Sequence, residues 1–247
     1  MGSVVSPEHR GSDITGTSTL ITAHSLQPLQ DPVVTNMRTA NGAWGAFTIL
    51  GAGGDAMRWA RRVFHNNEVD YAAIVAMAKA APPGSDRLLF LPYLNGERFG
   101  GDAKPRGEFF GLASGHNAGH LHRGVMEGVA FAARRSLTVL EHKSGPIDSI
   151  VAAAGGVHGL WLEVRASVYD RPIVVPAQAE AGVAGCAMIA ALLSVRSRTG
   201  RKRAGDLSRS VMKSCPILLG ATAICATRSS SASSTTRTDP CGRGSMR

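Results

Sequence analysis

Three glycine-bearing turns collect the residue types in this chain that can hold an anion. The first is Gly16-Thr17-Ser18, in the middle of SDITGTSTLITA (12–23), where β-forming residues alternate on either side. A glycine at a hairpin bend followed by two hydroxyl residues offers backbone N–H and O–H donors to a phosphate. The same residues also make an ordinary β-turn. The second is Gly51-Ala52-Gly53-Gly54, which ends the apolar run WGAFTIL (44–50). It opens a helix from Asp55, with Met57, Ala60, Arg61 and Phe64 on overlapping turns. The third is Gly155-Gly156, which follows a β-branched run over 147–154 and precedes Leu160, Val164 and Val168 at helical spacing. A strand buried on both faces that breaks through glycine into a helix is how α/β folds approach a nucleotide. It is equally a way to pack without any ligand.

Other chemistries find less support. Neither G-x-G-x-x-G nor G-x-x-x-x-G-K-[ST] occurs, so the dinucleotide and P-loop fingerprints are absent, and no G-x-S-x-G supports a hydrolase serine. His116, His120 and His122 invite a metal, since His116 and His120 lie four apart on one helix face. No acidic residue completes H-E-x-x-H, so no metal ligand is assigned. Glu97 and Arg98 read as an ion pair that anchors their loop in preference to a site. Cys186 lies in the body of the chain, and Cys215, Cys225 and Cys241 lie near the end without a C-x-x-C pair. That argues against zinc and against a disulfide framework, and fits a reducing compartment.

The elements that must position these turns follow from periodicity and breakers. Val69–Ala81 reads as a helix stopped by Pro82-Pro83-Gly84, and Leu88–Leu91 as a short buried strand. His116–His142 is the longest helix, with Leu121, Val125, Val129, Ala133, Leu137 and Leu140 on one stripe. Gly124 and Gly128 inside it cost about 1 kcal/mol each relative to alanine, so another element is expected to pack closely there. Gly145-Pro146 ends it. A strand over Pro172–Pro176 and a small-residue helix over Gly182–Leu193 follow.

Composition sets the outer bounds. The 247 residues are 44% hydrophobic, with a formal charge of +9. Residues 1–194 hold 16 Lys+Arg and 16 Asp+Glu, so the whole excess sits in 195–247. The body therefore carries no basic footprint for nucleic acid, and the tail has no aromatic residue to stack on bases; no nucleic-acid partner is expected. MGSVVSPEHRGSD lacks the basic and apolar regions of a signal peptide, and the apolar run over 216–226 is too short to span a bilayer. A cytoplasmic protein with no membrane partner is expected.

Taken together, ITGTSTLI (14–21), GAGGDAMRW (51–59), FLPYLNGER (90–98) with RGEFFGL (106–112), and AAGGVHGLW (153–161) with AEAGVAGCAMIAA (179–191) resemble the C-terminal lobe of the FGGY carbohydrate kinases, close to the xylulokinase group. The resemblance spans about residues 4–194. It departs at Gly124, where Ala or Ser is usual, and in an adenosine loop about one residue short between Gly156 and Leu160. It implies an α/β fold of the actin/hexokinase-like (ribonuclease H-like) ATPase class: one lobe of a two-lobed kinase, with a mixed sheet flanked by helices. The implied units are a remnant of the inter-lobe region over 1–13, the nucleotide-binding lobe over 14–194 and a basic tail over 195–247.

The implied activity is transfer of a phosphoryl group from ATP, carried with Mg2+, to an alcohol group of a pentulose-type sugar or polyol. Phosphoryl transfer needs positioning and charge stabilisation more than covalent work from the protein. The resemblance implies that Gly16, Thr17 and Ser18 hold phosphate oxygens, Gly54 lets the backbone approach the nucleotide, and Arg58 reaches the adenine or ribose. It places Gly155 and Gly156 against the adenosine, where a Cβ would clash. No catalytic residue is assigned: the family's general-base Asp lies in a glycine-rich motif before the hairpin, and Asp13 stands too close to the hairpin to replace it. The chain is therefore expected not to phosphorylate a sugar alone, and self-association through an exposed cleft face is plausible. The alternative is a non-catalytic nucleotide-binding or interaction domain. The abrupt shift to Arg, Ser, Thr and Cys after residue 194 points to a frameshifted or disordered tail.

Overall fold

The computed structural model describes residues 10–39, 42–97, 104–153, 159–176, 185–187, 190 and 222–224. Strand β1 (Arg10–Thr15) turns through Gly16–Ser18 into β2 (Thr19–Ser25). The two pair antiparallel in the register Asp13↔Ile21 and Thr15↔Thr19. β3 (Thr35–Arg38) and β4 (Trp44–Leu50) extend the antiparallel side. β7 (Ser149–Ala153) joins β1 in parallel, and β8 (Ile173–Val175) joins β7 in parallel. β9 (Thr222–Ile224) closes the edge antiparallel to β8, giving the order β3-β4-β2-β1-β7-β8-β9. A separate ribbon pairs β5 (Leu89–Leu91) with β6 (Glu108–Phe110). This is the mixed, helix-flanked sheet implied for an actin/hexokinase-like lobe.

Register explains which face is buried. Asp13, Thr15, Thr19, Ile21, Ala23, Ala46, Thr48 and Leu50 share one face of β1, β2 and β4, and all of them are buried. Helix α3 (Ala118–Ser144) lies against β2 and β4 and is also packed by α1 (Gly54–His65), α2 (Tyr71–Ala80) and α4 (Leu160–Tyr169). Its apolar stripe is enclosed beyond the first turn: Leu121 is half-buried, while Val125, Val129, Ala133, Leu137 and Leu140 are each at most 1% exposed. Asn117 starts α3 with a capping box in which its side chain and that of His120 satisfy orphan N–H groups reciprocally. Gly145 ends it.

The two glycines inside α3 differ. A Cβ on Gly128 would drive far inside contact with the Phe90 carbonyl of β5, whereas one on Gly124 would sit 3.6 Å from the Leu88 carbonyl, an ordinary contact. Close packing therefore explains Gly128 and leaves Gly124 without a steric need. Inside the ribbon, the rings of Phe90 and Phe109 meet tilted at 4.7 Å between centroids and pack onto Trp59 and Phe64 of α1.

Several expectations meet the structure directly. The strand over 44–50 and the helix from 54 fall where periodicity and glycine put them. β3 and β6 are strands that the sequence pattern did not single out. Of the helix expected over 182–193, residues 185–187 and 190 are helical and the rest lie outside the described residues. Within the tail expected to be disordered or frameshift-derived, 222–224 form a strand. Pairing with β8 supplies the hydrogen bonds that the local sequence pattern does not predict.

Candidate nucleotide site

The Gly16–Ser18 hairpin is held from the side by the start of α1. Gly54 N–H donates to the Gly16 carbonyl at 2.8 Å, and Asp55 N–H donates to the Thr17 carbonyl at 3.2 Å. The Ser18 carbonyl accepts from Gly16 N–H at 3.0 Å, so all three hairpin carbonyls are turned inward and engaged. Among the described residues, the N–H groups of Thr17 and Ser18 have no backbone acceptor. Gly53 and Gly54 permit this docking. A Cβ on Gly53 would lie 2.9 Å from Ser18 C and 3.0 Å from two hairpin carbonyl oxygens, and one on Gly54 would lie 2.8 Å from Gly16 O. Gly54 thus has a packing reason of its own, the approach of the Gly16 carbonyl.

Gly16 is different. Its φ is not left-handed, and a Cβ there would meet nothing within 4 Å among the described residues. Neither backbone strain nor packing requires a glycine at this position. What a Cβ would occupy is the open space over exposed Gly16 and Thr17.

Beneath the hairpin lies a buried polar network. Asp13 and Arg165 are 0% and 1% exposed. Arg165 Nη1 donates to Asp13 Oδ2 at 3.1 Å and to Thr15 Oγ1 at 3.2 Å, with its guanidinium 4.7 Å over the Trp161 ring. Tyr169 Oη donates to Asp13 Oδ2 at 2.7 Å, and Thr15 Oγ1 donates to Asp13 Oδ1 at 2.6 Å. Burial, and then the Asp13 charge, push the Tyr169 phenol well above its usual value, which keeps it a neutral donor. Asp13 is thereby a structural ion-pair partner, closed off from any substrate.

In front of the hairpin, a cavity of about 490 Å³ is lined by Asp55, Arg58, Trp59, Arg62, Asn67, Leu94 and Asn95. Arg58 and Arg62 lie one turn apart on α1, so the lining carries two cations against one carboxylate. Arg58 Nη2 donates to Thr17 Oγ1 at 3.1 Å. The loop 92–97 that closes the far side is anchored to α3, because Arg135 Nη1 donates to Glu97 Oε2 at 3.2 Å. Glu97 therefore does anchor its loop, with Arg135 as its partner; Arg98 lies outside the described residues. Burial, and then the Glu97 charge, raise the Tyr93 phenol in the same loop.

Among the residues assigned from the sequence, Gly16, Thr17, Ser18, Gly54 and Arg58 come together at this hairpin, while Gly155 and Gly156 lie outside the described residues. Arg62 and Asn95 were missed. The i, i+4 spacing of Arg58 and Arg62 was a usable signal; Asn95 had none beyond its tract. The histidines serve the fold. His116 Nδ1 accepts from Ala113 N–H, and His120 Nδ1 caps α3 while its Nε2 meets Asp86 Oδ2 at 3.1 Å. His122 Nε2 pairs with His65 Nε2 at 2.9 Å. Among the described residues, no cluster of three or more metal-ligating side chains forms and no helix is long and apolar enough to cross a membrane.

Comparison with known proteins places this geometry. The family model described as the FGGY family of carbohydrate kinases, C-terminal domain, matches residues 12–194. Xylulose kinase of Bacillus subtilis is 30% identical over 142 residues, covering 57% of this chain and 28% of that protein. Gluconokinase of the same organism is 32% identical over 149 residues, covering 56% and 29%. The crystal structure of xylulose kinase from Rhodospirillum rubrum superposes with a TM-score of 0.72 at 25% identity, over 84% of this chain and 42% of that one. The chain thus spans under a third of the length of each of these two curated relatives. With a family match that runs through the hairpin, the α1 turn and the ribbon, the chain belongs to the FGGY family of carbohydrate kinases.

Proposed function

We propose that this chain supplies the nucleotide-holding lobe of an ATP-dependent sugar kinase. The observation that carries this is Gly16: a glycine that neither backbone nor packing requires, under open space, beside the N–H groups of Thr17 and Ser18. A phosphate needs that space and those donors. The hairpin and cavity fit a nucleoside triphosphate: Thr17 and Ser18 would hold phosphate oxygens, and Trp59, Asn67 and Asn95 offer an apolar wall and amide partners beyond them. Mg2+ would arrive with the nucleotide and neutralise phosphate charge. The acceptor would be an alcohol group of a pentulose-type sugar or related polyol or sugar acid, as the relatives' names suggest. In this reading Asp13 is not the general base, since it is sealed beneath the hairpin by Arg165 and Tyr169.

Calorimetric titration of the purified chain with Mg-ATP tests the reading, with saturable binding as the expected result. An assay for ADP released in the presence of xylulose, gluconate and other polyols should give no turnover from this chain alone. Sugar-dependent turnover would overturn the assignment of no catalytic base. Absence of any ATP binding would overturn the lobe's role.

A further inference from the structure

The partners of Arg58 aim it at the hairpin. Its Nη2 donates to Thr17 Oγ1 at 3.1 Å and to Asp55 Oδ1 at 3.3 Å. Asp55 Oδ2 in turn accepts from Asn95 Nδ2 at 3.2 Å. A line of polar side chains thus crosses from the 92–97 loop, over the first turn of α1, to the hydroxyl of the hairpin. The resemblance implied that Arg58 reads adenine or ribose. Its charge instead lies beside Thr17, and the side chain is 52% exposed to the cavity.

We propose that Arg58 is a ligand for the phosphate chain, with Asp55 and Asn95 as the residues that position it. This rests on the nucleotide reading above and changes which part of the nucleotide Arg58 meets. A guanidinium carries five donors in a planar fork and binds phosphate oxygens bidentately, more strongly than it binds a neutral hydroxyl. Thr17 Oγ1 therefore holds the place that a phosphate oxygen takes. Once released from Arg58, the Thr17 hydroxyl donates to the same phosphate. Asp55, fixed from behind by Asn95, keeps the guanidinium beside the hairpin.

The test uses the full 247-residue chain, its Arg58→Gln variant and its Arg58→Lys variant. Each is titrated with Mg-ATP, AMP and inorganic tripolyphosphate. Arg58→Gln is expected to weaken ATP and tripolyphosphate about tenfold and AMP less than about twofold, with Arg58→Lys recovering part of the loss. Melting temperatures without ligand should stay within a few degrees, because the side chain is half exposed. Equal losses for ATP and AMP would overturn the proposal and return Arg58 to the base or ribose, leaving the nucleotide reading intact. Unchanged affinities in Arg58→Gln would overturn it as well. If the parent chain binds tripolyphosphate in an Arg58-dependent way but neither ATP nor AMP, the phosphate role stands and the nucleotide reading falls. Failure to bind any of the three overturns both.

Discussion

Severing the Asp13–Arg165 pair should cost more than any surface ion pair in the protein, and the loss should be strongly non-additive. Both side chains are at most 1% exposed, and this contact, with its neighbours Tyr169 and Thr15, ties together the strand and helix that carry them. Removing one partner of a buried ion pair typically costs 3–5 kcal/mol, because the other charge is left without compensation. In Arg165→Met, Asp13 keeps the hydroxyls of Thr15 and Tyr169, which places the loss near the bottom of that range, at about 3 kcal/mol. Loss of the Trp161 contact adds about 1 kcal/mol. Asp13→Asn strands Arg165 and should cost about 3 kcal/mol. Independent effects would therefore sum to about 7 kcal/mol in the double variant, whereas removing both charges together should cost only about 3 kcal/mol. Urea unfolding followed by circular dichroism gives all three values. Losses that add to within about 0.5 kcal/mol would refute a coupled pair.

Four further outcomes follow from the same geometry. Gly128→Ala should destabilise by more than about 2 kcal/mol, since its Cβ meets the Phe90 backbone, while Gly124→Ala should stabilise by about 0.5–1 kcal/mol; thermal melts of the two variants should move in opposite directions. Gly54→Ala should displace the hairpin by a few tenths of an ångström and weaken Mg-ATP about tenfold, read by titration; unchanged affinity would show that hairpin position does not matter. Burial, and then the nearby His65, pull His122 down from 6.5 to about 4. The unfolded state therefore binds more protons between those values, so stability is full above pH 6.5 and falls by about 2–3 kcal/mol towards pH 4. Urea midpoints across that range should show the slope, and His122→Phe should reduce it.

What the sequence made legible was local. A β-branched run, a glycine and a helical stripe identify themselves within a dozen residues, so β1, β2, β4, α1 and the start of α3 could be placed from pattern alone. β3 reads TNMR, mostly exposed and without alternating apolar residues, and it becomes a strand only because β4 offers it a ladder. Asp13 and Arg165 lie 152 residues apart, and nothing near either one names the other. Each looked like an ordinary charged residue until the parallel pairing of β1 with β7 fixed where α4 falls. The histidines show how little spacing alone decides. Spacing put His116 and His120 on one face, but the partners that decide their role come from Ala113, Asn117 and Asp86. For Gly54 the sequence shows that a Cβ is missing, and the structure adds that the Gly16 carbonyl stands in its place.

These contacts also bear on the phosphate cradle proposed for the hairpin. A three-residue loop between two strands has few hydrogen bonds of its own, and its donors would turn toward any acceptor. Here the carbonyls are committed to Gly54 and Asp55, and the strand ends are tied from below through Thr15 to Arg165. Thr15 Oγ1 also lies 3.2 Å from Thr19 Oγ1, which closes the base of the loop. Among the described residues the Thr17 and Ser18 N–H donors have no backbone acceptor, and the Thr17 hydroxyl accepts from Arg58. Donors fixed before an anion arrives need little reorganisation to bind it, which is the condition for strong electrostatic stabilisation of transferred charge. In the proposed site, the buried pair under the hairpin therefore matters as fully as the residues that would meet phosphate.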